Sequence, residues 1–67
     1  MYKTRFFIIR FLENNKFYNG EEYTGDIEEI STVFVDYAKK YNDREDILEE
    51  FNTQNIWFEI VEIWKEN

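Results

Sequence analysis

The chain has 67 residues, enough for a single domain over 1–67 with one thin core. It contains neither Cys nor His, which excludes disulfides, the common zinc frameworks and every thiol or imidazole-activated nucleophile. Fifteen acidic residues against eight basic ones leave a net charge of −7, which disfavours direct nucleic-acid binding and favours a partner with a basic surface.

Thr4–Leu12 is the first predicted strand. Alternation puts Arg5, Phe7, Ile9 and Phe11 on one face and Thr4, Phe6, Ile8, Arg10 and Leu12 on the other. Both faces are apolar in the middle, so both need cover. Arg10 interrupts the apolar run after Phe6–Ile9, and Glu13-Asn14-Asn15 follows where a signal peptide would carry small residues. No stretch approaches the ~18 apolar residues of a membrane helix. The expectation is a soluble, cytoplasmic protein with no membrane partner.

Asn14-Asn15 signals a turn, and Asn19-Gly20 a stronger one. The preferred reading pairs a second strand, Lys16–Tyr23, antiparallel to the first, with Asn19-Gly20 as a bulge; the alternative places the tight turn there. Gly25 ends the hairpin. Asp26 is a helix N-cap, with Glu28 and Glu29 in the first turn. Ile27, Ile30, Phe34, Tyr37 and Tyr41 recur at spacings of three and four, flanked by Val33 and Ala38, and predict a helix to Tyr41 with that stripe in the core.

Asp43 and Asp46 resemble a capping box opening a second, shorter helix with Ile47, Leu48 and Phe51 on its apolar side. One helix from Asp26 to Phe51 would be ~39 Å long against ~30 Å for a nine-residue strand, which favours a break near Asn42. Thr53-Gln54-Asn55 leads into the last strand, Ile56–Trp64. Ile56, Phe58, Ile60 and Trp64 share one of its faces; Trp57, Val61 and Ile63 share the other. The predicted fold is α+β: a three-stranded antiparallel sheet in β-β-α-α-β order, packed on one face by a helix that breaks near Asn42. Ile56–Trp64 is expected beside Thr4–Leu12.

The inventory excludes most enzyme constellations and suggests no cofactor site; an enzyme working through paired carboxylates is the least favoured of the readings kept. Ser31, the only serine, lies in the predicted helix without a base nearby, and Gly20 and Gly25 lack phosphate-loop spacing. Asp43, Glu45, Asp46, Glu49 and Glu50 crowd into eight residues without the ligand spacing of a calcium loop. Like charges four apart on a helix each cost a few tenths of a kcal/mol. The cluster is either a solvated helix face or a negative surface shaped for a basic groove. A second candidate surface is apolar: Phe7, Ile9, Phe11, Trp57, Val61 and Ile63. One helical layer covers one face of a sheet, so the other face is either small and partly exposed or buried by a second copy or another protein.

These features predict a non-catalytic acidic interaction module, an inhibitor that blocks the basic groove of a nucleic-acid enzyme through Asp43, Glu45, Asp46, Glu49 and Glu50. The alternative is a self-associating structural or regulatory subunit. In size, charge, absence of Cys and His, and the order of Thr4–Leu12, Lys16–Tyr23, Asp26–Tyr41 and Ile56–Trp64, the chain resembles small acidic phage inhibitors of host enzymes. These include the uracil-DNA glycosylase inhibitors and the anti-CRISPR proteins. The resemblance implies a phage protein acting in the host cytoplasm by DNA mimicry, as a homodimer in one similar case.

Overall fold

In a computed structural model the described residues are 3–51 and 56–66. Four strands and one α-helix are formed: β1 (Lys3–Phe11), β2 (Phe17–Tyr18), β3 (Ser31–Thr32), α1 (Arg44–Phe51) and β4 (Phe58–Glu66). The sheet is antiparallel, in the order β3-β2-β1-β4. The expected three-stranded, β-β-α-α-β architecture is therefore wrong in strand number and in helix content. The expected approach through Thr53-Gln54-Asn55 lies outside the described residues.

β1 and β4 are the long elements, and they pair over their full length from Lys3–Glu66 to Phe11–Phe58. This is the strand pair the sequence predicts, with β4 displaced two residues toward the C-terminus. Cross-strand partners share a face. Phe11 faces Phe58, Ile9 faces Ile60 and Phe7 faces Glu62, and this row lies under α1. Arg10 faces Glu59, Ile8 faces Val61 and Phe6 faces Ile63 on the second face.

The hairpin after β1 forms as its Asn residues require. Asn15 takes φ 58°, the left-handed region that Asn tolerates, and Asn14 Oδ1 accepts the Lys16 N–H at 2.9 Å. β2 stops at Tyr18, well short of the predicted Tyr23. Asn19 and Gly20 turn the chain off the sheet instead of bulging it; Gly20 has φ 96° and Asn19 Oδ1 accepts the Glu21 N–H.

The largest correction concerns Asp26–Tyr41, which is not an α-helix. Asp26 does cap, accepting the Glu28 N–H at 3.0 Å, but only the 3₁₀ turn Ile27–Ile30 follows. Ser31-Thr32 then forms β3 against β2, and a second 3₁₀ turn spans Val35–Tyr37. The run from Ile30 to Val35 holds four β-branched residues and a Phe, all poor helix formers. Ser31 and Thr32 also take up backbone groups themselves: Ser31 Oγ donates to the Ile27 carbonyl at 2.5 Å, and Thr32 Oγ1 accepts the Phe34 N–H. With no helix there, nothing breaks at Asn42. The chain instead returns to β1, where Phe7 and Tyr41 exchange two backbone hydrogen bonds of 2.8 Å.

α1 is the one α-helix among the described residues, and it forms where the shorter amphipathic stretch was predicted. Asp43 Oδ1 accepts the Glu45 N–H at 3.1 Å, so Asp43 caps it, without help from Asp46. Ile47 and Phe51 turn inward onto Phe7, Ile9, Phe11, Tyr18, Ile30, Tyr41 and Ile56. Phe51 meets Tyr18 edge-on at 4.9 Å and Phe58 at 5.4 Å. Asp43→Ala is expected to lower stability by about 1 kcal/mol, seen as a lower urea midpoint with unchanged slope.

Candidate functional site

α1 separates its carboxylates by role. Asp43 serves the cap, and Glu50 faces back toward the sheet. Lys39 Nζ donates to both Glu50 oxygens at 3.0 and 3.2 Å, and the Tyr41 hydroxyl donates to Oε2 at 2.5 Å. Glu45, Asp46 and Glu49 are exposed, with no side-chain partner among the described residues. All five residues of the predicted acidic site thus lie on one short element, but three are free and two are employed within the fold.

Lys39 and Tyr41 were assigned to a helix by the sequence pattern, so their part in this network went unforeseen. Burial pushes the Glu50 carboxyl upward, but the Tyr41 hydroxyl and Lys39 ammonium outweigh it and hold the group below its ordinary value. Tyr41 is raised by burial first, then by its bond to Glu50 and by that residue's charge. Tyr18 is raised by burial, then by Glu50 and Glu21.

The signs follow from linkage. A carboxylate depressed in the folded state contributes stability above its unfolded value and loses it as pH falls through the folded one. A phenol raised in the folded state contributes stability that is intact below its unfolded value of 10.0 and lost as pH rises beyond it. Urea midpoints are therefore expected to hold level between neutrality and pH 9 and to fall above pH 10. Tyr41→Phe should cost about 1.5 kcal/mol at neutrality, since it removes a hydrogen bond to a half-exposed charged group, and should flatten the alkaline fall. An alkaline limb as steep as that of the parent would contradict the assignment.

The predicted apolar site does not form one patch. Phe7, Ile9 and Phe11 are at most 4% exposed and belong to this chain's own core. Val61 and Ile63 lie half-buried on the opposite face, and Trp57 is 78% exposed beside Leu12. That second face is partly closed already. Ile8 is fully buried on it, and Lys40 holds its ammonium 5.6 Å above the Phe6 ring while bonding the carbonyls of Val35, Asp36 and Ala38.

The sequence reading also missed an aromatic surface. Phe34 and Tyr37, expected in the core stripe, are 60% and 70% exposed and meet edge-on at 5.7 Å beside exposed Val33. The β-branched residues Ile30, Thr32, Val33 and Val35 were the available signal that no helix would carry them inward.

Between α1 and the loop after β2 lies a cleft of about 300 Å³, with Glu22 and Glu50 on its walls and Tyr18 and Tyr23 at its sides. It carries no cation of its own. Among the described residues no group of three or more acidic side chains is arranged to hold a metal ion, and no helix is long and apolar enough to cross a membrane. No family model, curated protein or solved structure matches the chain.

Proposed function

We propose that the protein is a non-catalytic acidic interaction module that occupies the basic groove of a nucleic-acid-acting enzyme, with α1 standing in for phosphate backbone. One observation supports this reading above the rest. Glu45, Asp46 and Glu49 stand outward on a capped, packed helix with no internal partner, while Glu50 and Asp43 anchor that helix in place. A packed helix fixes the backbone from which these charges project, so only their side chains are left to order on binding.

The charge density fits a polyanion. Asp43 to Glu50 spans ~10 Å of helix axis and carries five carboxylates against Arg44 and the Lys39 ammonium bound to Glu50, or one net charge per ~3.5 Å. A DNA duplex carries one per ~1.7 Å and a single strand one per ~3.4 Å. Glu22 continues the negative surface across the cleft from Glu50. Exposed Phe34 and Tyr37 supply aromatic anchors of the kind that dominate interface energetics.

The test is competitive. Immobilised protein is exposed to cell lysate, and bound material is challenged with a short DNA duplex. Elution of a DNA- or RNA-binding enzyme by the duplex, with loss of that enzyme's own nucleic-acid binding in the presence of this protein, is expected. Partners that the duplex does not displace, or whose nucleic-acid binding is unaffected, would overturn phosphate mimicry.

A further inference from the structure

β4 ends the sheet on its side, which leaves one long backbone edge open among the described residues. Two hydrogen bonds identify the groups it presents. The Leu12 N–H donates to the Trp57 carbonyl at 3.1 Å, whereas the Phe7 N–H donates away from β4, to Tyr41. Even residues of β1 therefore bond toward β4, and their partners Glu59, Val61, Ile63 and Lys65 use their main-chain groups inward. Phe58, Ile60, Glu62, Trp64 and Glu66 aim theirs outward.

We propose that this edge pairs antiparallel with the same edge of a second copy of this chain, about a two-fold axis at Glu62, to make one continuous sheet. The pairing would form about ten main-chain hydrogen bonds. The register is selected by side chains. On the second face β4 reads Glu59, Val61, Ile63, Lys65, and this row reversed against itself sets Glu59 opposite Lys65 and Val61 opposite Ile63. Sliding by two residues sets Ile63 opposite Glu59, or Val61 opposite Lys65, and loses both matches.

On the core face, the same register brings Trp64, 59% exposed in the single chain, against half-buried Ile60 of the second copy. Two kinds of pair are unfavourable: Glu66 stands opposite Phe58 at each end, and Glu62 faces itself at the axis. Each Glu62 is 3.9 Å from its own Arg5, and the guanidiniums of Arg5 and Arg44 both sit over Phe7, directly across the ladder from Glu62. That local positive charge offsets the repulsion. No Pro interrupts the edge; its protection in the single chain is the charge of Glu59, Glu62, Lys65 and Glu66.

The surface lies on β4 and shares no residue with the α1 carboxylates, so it stands or falls independently of the proposed function. A contact of about nine residues a side is smaller than a standard interface, so a weak, concentration-dependent dimer is expected. Sedimentation velocity from about 5 to 300 µM is expected to pass from monomer to dimer. Glu59→Lys and Lys65→Glu, each alone, set like charges at both ends of the interface and should weaken it at least ~10-fold. Mixed in equal amounts, the two variants attract at both ends, and the heterodimer should recover the parental affinity.

Glu59→Lys also removes the partner of Arg10, so its melting curve is recorded beside the parent's. Glu62→Pro removes an outward N–H, which an edge strand tolerates, together with the carboxylate near Arg5; it should keep the monomer's far-UV spectrum and abolish the dimer. A chain still monomeric at the highest concentration would overturn the proposal. So would a dimer indifferent to both single variants, or a mixture that fails to recover.

Discussion

Phe11→Ala is expected to leave most of the protein unfolded at room temperature. Phe11 is fully buried, pairs across the sheet with Phe58 and meets Tyr18 edge-on at 6.0 Å. Truncating a buried Phe costs about 3–5 kcal/mol, through lost transfer free energy and the cavity that remains. A domain of this length holds only ~3–10 kcal/mol in all, and no disulfide or zinc staple supports it. Near-UV circular dichroism should lose its aromatic signal, and any remaining urea transition should begin without a folded baseline. Leu48→Ala is the control. Leu48 is 52% exposed on α1, and its truncation should move stability by no more than ~0.5 kcal/mol. Equal effects from the two variants would contradict the assignment of the core.

The triple variant Glu45→Gln, Asp46→Asn, Glu49→Gln is expected to reduce affinity for a basic-groove partner at least 100-fold, or about 2.8 kcal/mol. Glu50 is left in place because it secures α1 to Lys39 and Tyr41, and its loss would confuse binding with folding. Neutral replacements are preferred over Lys for a related reason. Glu45 and Asp46 sit in the first turn of α1, where cations oppose the helix dipole. The neutral triple should cost the fold on the order of 1 kcal/mol and leave its far-UV spectrum intact. Raising salt should weaken the parent's binding steeply and the variant's little. Binding by the parent that is insensitive to both salt and the triple variant would move the functional surface to Phe34 and Tyr37.

Much of the frame was legible in the sequence because it is local or strongly periodic. The two long strands announce themselves by β-branched and aromatic residues, and their two-faced character correctly makes them neighbours. Asn14-Asn15 and Asp43 act through their own backbone, so turn and cap are read without tertiary knowledge. The 26–41 segment failed because period and propensity disagree there. Ile27, Ile30, Phe34, Tyr37 and Tyr41 are spaced as a helix would space them, yet Ile30 to Val35 resists a helix and Ser31-Thr32 finds a strand partner in Phe17-Tyr18. Propensity prevailed, and Phe34 and Tyr37 moved from expected core to surface. The acidic cluster was legible as a cluster, but not as three free carboxylates and two employed ones. Glu50 is occupied by Lys39 and Tyr41, residues eleven and nine positions away whose placement depends on the return of the chain to β1.

The full-length pairing of β1 with β4 has a consequence for how the chain comes into being. Lys3 meets Glu66 and Phe11 meets Phe58, so the central strand is synthesised some fifty residues ahead of the neighbour that completes it. Closing a loop of that size costs about 2 kcal/mol more than closing a four-residue hairpin loop, with no helix-by-helix gain along the way. During translation β1 waits with both apolar faces open, and cooperative folding begins only when β4 clears the ribosome. Topologies dominated by such distant pairings fold in milliseconds to seconds, not microseconds. The surplus of negative charge then has a second use, keeping the waiting chains apart until their own last strand arrives.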